Sequence, residues 1–247
     1  MSSEADVTVP APANADCPER MFRKDLRAAM PDAALAVLLA AIVFGILVLR
    51  MRAGADPALS EMPSMKQTGG IWSYTASQAV GWAALSWSWI TILLGVSLPI
   101  WSRTRRLGIR ESAERLHRST SLTVIALVVA HALLLIWDRM GDTLVTIFVP
   151  WTTSYLPGRF PQALGIISFY LAVLVGPSFY FRDRLGPRSW RLLHRYIIPA
   201  VYILAVWHTF LYGSDVRIRN QLWIMLWALQ VPVVVAFTLR VLIARRN

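Results

Sequence analysis

Cysteine is nearly absent: the 247-residue chain has one, Cys17. A lone cysteine excludes an internal disulfide, a four-cysteine metal site and C-x-x-C-H cofactor attachment. Charge is also scarce, at 16% of residues, and acidic charge most of all, with 14 Asp and Glu against 25 Lys and Arg. No G-x-G-x-x-G occurs, so the chain gives no sign of a flavin or nicotinamide dinucleotide site of its own. What is plentiful is hydrocarbon. Hydrophobic residues make up 56% of the sequence and the mean hydropathy is +0.50, a balance that fits lipid as the main solvent and lies far from that of a soluble domain.

The apolar residues are gathered in six stretches: Ala33 to Leu49, Thr75 to Trp101, Leu116 to Trp137, Ala163 to Phe181, His194 to Tyr212 and Leu222 to Ile243. Each is about the length of a membrane-crossing helix, near 20 residues, which predicts an all-α, six-helix transmembrane bundle over 28–247. Residues 1–27, polar and rich in Ala and Pro at the start, are expected to form a disordered cytoplasmic tail. A net charge of +11 raises the question of nucleic acid. The basic residues, however, sit at the ends of the apolar stretches, which points to lipid as the partner and not to nucleic acid. Alternate ends hold 18 of them against 7 on the others, so the bias of Lys and Arg toward the cytoplasm predicts a multi-pass cell-membrane protein with both termini cytoplasmic. The semi-apolar loop from Gly141 to Pro161 is expected along the outer interface, and Pro177, Pro199 and Pro232 are expected to kink their helices.

The chain has four histidines, His117 and His131 in the third stretch, His194 and His208 in the fifth, and both pairs are 14 residues apart. On a helix that spacing advances roughly 21 Å and returns the side chain to nearly the same face. One helix runs back between the third and the fifth, so these two are parallel. His117 then shares a depth with His194, and His131 with His208. Histidines that far apart on one helix cannot share a bare ion, which wants three or four converging ligands. Two opposed imidazoles suit a planar macrocycle that needs one ligand from each side, and haem, held without a covalent link, fits best. The neighbouring residues on these faces, Ser121, Val124 and Val128 with Ile198, Val201 and Ala205, are small or slender. The competing reading is four unrelated histidines packed between helices.

Ser189-Trp190-Arg191-Leu192-Leu193-His194-Arg195-Tyr196 is similar to the entry of the fifth helix in the ferric reductase-like transmembrane domain, the membrane part of iron reductases, NADPH oxidases and bacterial methionine sulfoxide reductase systems. Arg115-Leu116-His117-Arg118 resembles the start of that family's third helix, and the likeness spans roughly Thr75 to Ile243. The resemblance implies two b-type haems stacked between the third and fifth helices, an inner one on His117 and His194 and an outer one on His131 and His208, with electrons running outward. Family members that work alone append a flavin and nicotinamide domain. This sequence ends at Asn247, and a separate donor is expected, either a flavin reductase or a quinol. Some oxidases of the family place an aromatic residue between the haems, whereas Val201 stands at the midpoint here and Tyr202 points about 100° aside.

Arg115, Arg118, Arg191 and Arg195 flank the inner pair, where they can bind haem propionates or simply enforce topology; Arg139 and Arg159 pose the same choice on the outer side. Gln78 can line an acceptor pocket or merely join helices. The reading that follows is an oxidoreductase subunit, a di-haem conduit from a cytoplasmic donor to an outer acceptor. Its alternatives are a haem-binding membrane module for sensing or assembly, and a haem-free transporter or scaffold. Proton-coupled transport is disfavoured because no Asp or Glu lies within the six stretches.

Overall fold

The computed structural model describes residues 18–55, 72–101, 107–137, 143–153, 156–217 and 220–245, which are helical with no strand among them. Six long helices carry the six apolar stretches: α1 (Pro18–Arg52), α2 (Trp72–Trp101), α3 (Leu107–Leu134, prolonged by a 3-10 turn to Trp137), α5 (Arg159–Val175), α7 (Pro187–Tyr212) and α9 (Gln221–Arg245). Short helices α4 (Leu144–Phe148), α6 (Arg182–Leu185) and α8 (Ser214–Arg217) lie in the connections. Five segments are both long and apolar enough to cross a membrane: Pro18–Arg52, Trp72–Pro99, Arg110–Trp137, Arg159–Leu185 and Gln221–Ile243. The sixth, α7, has the length, 26 residues or about 39 Å at 1.5 Å per residue. Arg188, Arg191, Arg195 and both of its histidines hold its hydropathy down.

Contacts between named side chains fix the directions of the helices. Asp25 meets Arg118 and Asp32 meets Thr123, so α1 and α3 run parallel. His117 meets the Thr91 carbonyl and His131 the Ser77 carbonyl, which makes α2 antiparallel to α3. α5 and α7 are antiparallel in the same way, through Ser168 with Val201 and Pro161 with His208. α9 returns along α7, with Tyr202 on Gln230 and Phe210 stacked on Trp227. Small residues let α1, α2 and α3 approach closely: Ala36, Ala40, Ala83 and Ala84 are buried together with Trp87 and Leu127, as expected where van der Waals packing, and not water exclusion, joins helices. Large apolar side chains such as Leu38, Ile46, Ile203, Trp207 and Val234 face outward, the reverse of a soluble protein and the natural arrangement in hydrocarbon.

Two expectations need correction. The tail expected over 1–27 is helical from Pro18 onward, because Asp25 is buried and tied to Arg118 and Tyr180; residues 1–17 lie outside the described residues. Pro177 does not kink the fourth long helix but ends it: α5 stops at Val175 and a 3-10 turn runs Pro177–Phe181, since proline cannot donate to the helix ladder. Pro199 and Pro232 stay inside α7 and α9. The Gly141 to Pro161 connection holds α4, capped reciprocally by Thr143 and Thr146, with Leu144, Val145, Val149 and Trp151 exposed along it.

Candidate functional site

The four histidines come together in two pairs. His117 and His194 face each other across α3 and α7, with ring centres 6.1 Å apart and planes at 84°. His208 of α7 has His131 of α3 as a neighbour. Both pairs are at least half-buried within the bundle. The parallel course of α3 and α7 that this requires is the one expected from a single returning helix between them.

Three of the four rings are anchored the same way. His117 Nδ1 lies 3.0 Å from the Thr91 carbonyl, His131 Nδ1 2.7 Å from the Ser77 carbonyl and His208 Nδ1 2.8 Å from the Pro161 carbonyl. A carbonyl oxygen only accepts, so each Nδ1 carries the proton and donates it, and each Nε2 keeps its lone pair for a ligand. Ser77 Oγ also stands 3.1 Å from His131 Nδ1 and donates to the His131 carbonyl at 2.8 Å. His194 differs: its Nδ1 is buried without a hydrogen-bond partner, and Trp190 stacks on it at 5.2 Å and 28°. Trp190 Nε1 is a second buried donor without a partner at the same place.

No group of three or more His, Cys, Asp or Glu gathers as a bare metal ion would need, among the described residues. The slender residues expected beside the histidines divide their contacts. Val124 and Val128 lean on the alanine cluster of α1 and α2, and Ile198 leans on Ile92, Val96 and Tyr202. Tyr202 packs with Ile92 and Val96, and its hydroxyl donates to Gln230 Oε1 at 2.8 Å.

Around the His117 pair, Arg118 Nε donates to Asp25 Oδ2 at 2.9 Å and the same carboxylate accepts from Tyr180 at 3.0 Å. Arg115 is exposed and bonded to Ser112, while Arg191 and Arg195 are exposed on the first turns of α7. Arg240 of α9 stands near Arg195 and His194. At the opposite end of the bundle Asp215, almost fully buried, accepts from Arg50 at 3.1 Å and from Gln78 at 2.7 Å. Gln78 therefore serves as a tie between α2 and α8. Arg159 donates to the Thr153 carbonyl at 2.8 Å, and Arg139 lies outside the described residues.

Asp25 and Asp32 are the polar residues that the sequence did not bring forward. Asp32 accepts from Trp87 Nε1 at 2.9 Å and Thr123 Oγ1 at 2.8 Å. Thr123 lies between His117 and His131 on α3, so an acid stands at a depth between the two pairs although no apolar stretch contains one. The signal available was their spacing of seven on α1, which puts both on one face.

The family model described as ferric reductase like transmembrane component matches residues 80–212, slightly more than half of the 247-residue chain. The match takes in all four histidines. Comparison with curated proteins and with solved structures gave no match.

Proposed function

Because the chain belongs to the ferric reductase-like transmembrane family, we propose that it is the di-haem, b-type electron-transfer subunit of a membrane oxidoreductase. It crosses the bilayer six times, with both termini in the cytoplasm. It takes single electrons from a separate cytoplasmic or membrane donor, a flavin reductase or a quinol, and passes them to an acceptor at the outer face. The observation that carries this reading is the His117–His194 pair, repeated one level farther along the same two parallel helices by His131 and His208. The first two rings stand 6.1 Å apart, and His117 and His194 are the residues that would hold a haem at this level. His117, His131 and His208 have Nδ1 occupied by carbonyls, which leaves Nε2 as the coordinating atom.

Haem bound between such imidazoles supplies a one-electron Fe(III)/Fe(II) couple whose potential follows from ligands, burial and hydrogen bonding. The rest belongs to the protein. The carbonyls of Thr91, Ser77 and Pro161 hold three of the rings. Trp190 Nε1, buried and without a partner, is available to a propionate on the arginine-rich side, with Arg115, Arg191 and Arg195 nearby; Arg118 serves Asp25 as well. Two matched histidine levels on α3 and α7, with His117 and His194 in ring contact at one of them, are a feature that a haem-free scaffold or transporter would not need.

The experiment is a haem-to-protein ratio with spectra of the purified chain. Two haems per chain, both six-coordinate, low-spin and b-type, are expected. A fully loaded preparation with one haem per chain overturns the two-site reading.

A further inference from the structure

α2 passes directly behind both histidines of α3. A Cβ built on Gly95 would lie 2.8 Å from His117 Cε1, and one on Gly81 would lie 3.0 Å from His131 Nδ1. α5 repeats the arrangement: a Cβ on Gly165 would lie 2.8 Å from His208 Nδ1. Each of these glycines follows, by four residues, the carbonyl that the same histidine bonds: Thr91 and Gly95, Ser77 and Gly81, Pro161 and Gly165.

Helix geometry explains the offset. The carbonyl of residue i accepts the N–H of residue i+4 with one lone pair and keeps a second. The side chain of residue i+4 tilts back toward the helix N-terminus and so leans over that carbonyl. Glycine at i+4 removes the cover, and an imidazole from the neighbouring helix can then reach the second lone pair. Glycine makes up 13 of the 247 residues, too few for it to occupy this position three times out of three through abundance. Gly81 and Gly95 are also 14 residues apart, the interval of the histidines they face.

We propose that Gly81, Gly95 and Gly165 are positioning residues: with the carbonyls of Ser77, Thr91 and Pro161 they form three clamps that set the ring plane and tautomer of His131, His117 and His208. The inference rests on the two-haem reading and deepens it. His194 is the unclamped ligand among the described residues, its Nδ1 without a partner and its ring against Trp190. The outer pair is thus held on both sides and the inner pair on one. A bonded Nδ1–H makes the imidazole a stronger donor to the metal, so opening a clamp raises the potential of that haem alone.

The test is a redox titration with EPR of Gly95→Ala, Gly81→Ala and Gly165→Ala in the intact protein, with Gly45→Ala, whose added carbon meets nothing within 4 Å, as control. Gly95→Ala is expected to shift the midpoint potential upward and move the g-values of one haem. Gly81→Ala and Gly165→Ala should do so for the other, with Gly165→Ala the larger because its contact is tighter. Unchanged signals in all three, or equal changes in both haems, overturn the clamps. If a variant does not accumulate, 15N NMR of the unsubstituted, reduced and diamagnetic protein decides. Three histidines with strongly hydrogen-bonded Nδ1–H and a fourth unlike them support the clamps, and four alike overturn them. Failure of the two-haem reading shows separately, as unsubstituted protein lacking two haems, and the Nδ1 resonances can still be read in that preparation.

Discussion

Asp32 shows how a single residue changes the reading of a sequence. It precedes the first apolar stretch by one position and looks like part of a solvated flank, yet it joins three helices by accepting from Trp87 and Thr123. Its role depends on partners 55 and 91 residues away, and no local pattern announces them. The histidines were legible for the opposite reason: equal spacing on two parallel helices is a property of the sequence itself. The carbonyls that hold their Nδ1 atoms were not legible, since a backbone acceptor has no letter. Only the glycines opposite them leave a trace, and that trace gains meaning when the helices are seen packed. Asp32→Leu strands the indole N–H of Trp87, while Thr123 still reaches the Ser119 carbonyl at 3.2 Å. A loss of about 1–3 kcal/mol is expected for one buried polar group left without a partner. Asp32→Asn keeps an acceptor and should cost roughly 0.6 kcal/mol, an ordinary interhelical hydrogen bond in a membrane protein. Unfolding in mixed micelles measures both, and equal losses would show that the charge matters and the hydrogen bonds do not.

Among the elements, α4 was expected only as a loop at the outer interface. Its five residues are too few to hold a helix alone. What keeps them helical is the reciprocal bonding of Thr143 and Thr146, with Gln162 and Tyr170 of α5 donating to the Thr146 and Phe148 carbonyls. Thr143→Ala removes the cap, worth about 1 kcal/mol. The expected result is faster amide exchange across Leu144–Phe148 with the spectra of both haems unchanged; exchange at the unsubstituted rate would assign the helix to its α5 contacts alone. The apolar runs announce the long helices but not where they end. α1 starts ahead of its apolar run because Asp25 pairs with Arg118 and Phe22 packs on Tyr180, and α5 stops short of its run because Pro177 cannot continue it. In α7 the basic and imidazole side chains that mark it as functional are the same ones that dilute its hydropathy, so it is the span that composition sees least well.

At the scale of the whole molecule, the question is the order in which the two pairs meet an electron. The bias of 18 basic residues against 7 predicts both termini in the cytoplasm, and a reporter fused after Asn247 is expected to be active only inside the cell. On the proposed function, that orientation assigns the His117–His194 pair to the donor side. Arg115, Arg191 and Arg195 cluster near it, and positive charge stabilises an added electron, so these residues alone would favour electrons staying there. Several features weaken that hold. Arg115, Arg191 and Arg195 are exposed and screened by salt over about 8 Å at physiological ionic strength. Arg118 is neutralised by Asp25 at 2.9 Å. On the proposed function, a donor of low potential would supply the remaining drive. His131→Leu or His208→Leu should therefore leave the donor-side haem reducible in inside-out vesicles while stopping reduction of an outer acceptor. His117→Leu or His194→Leu should block electron entry. Each variant is compared only after its remaining haem is shown to be bound. If the His131 and His208 variants lost reduction of the donor-side haem while the His117 and His194 variants kept normal reduction of the other, the order assigned to the two sites, and with it the outward direction, would be reversed.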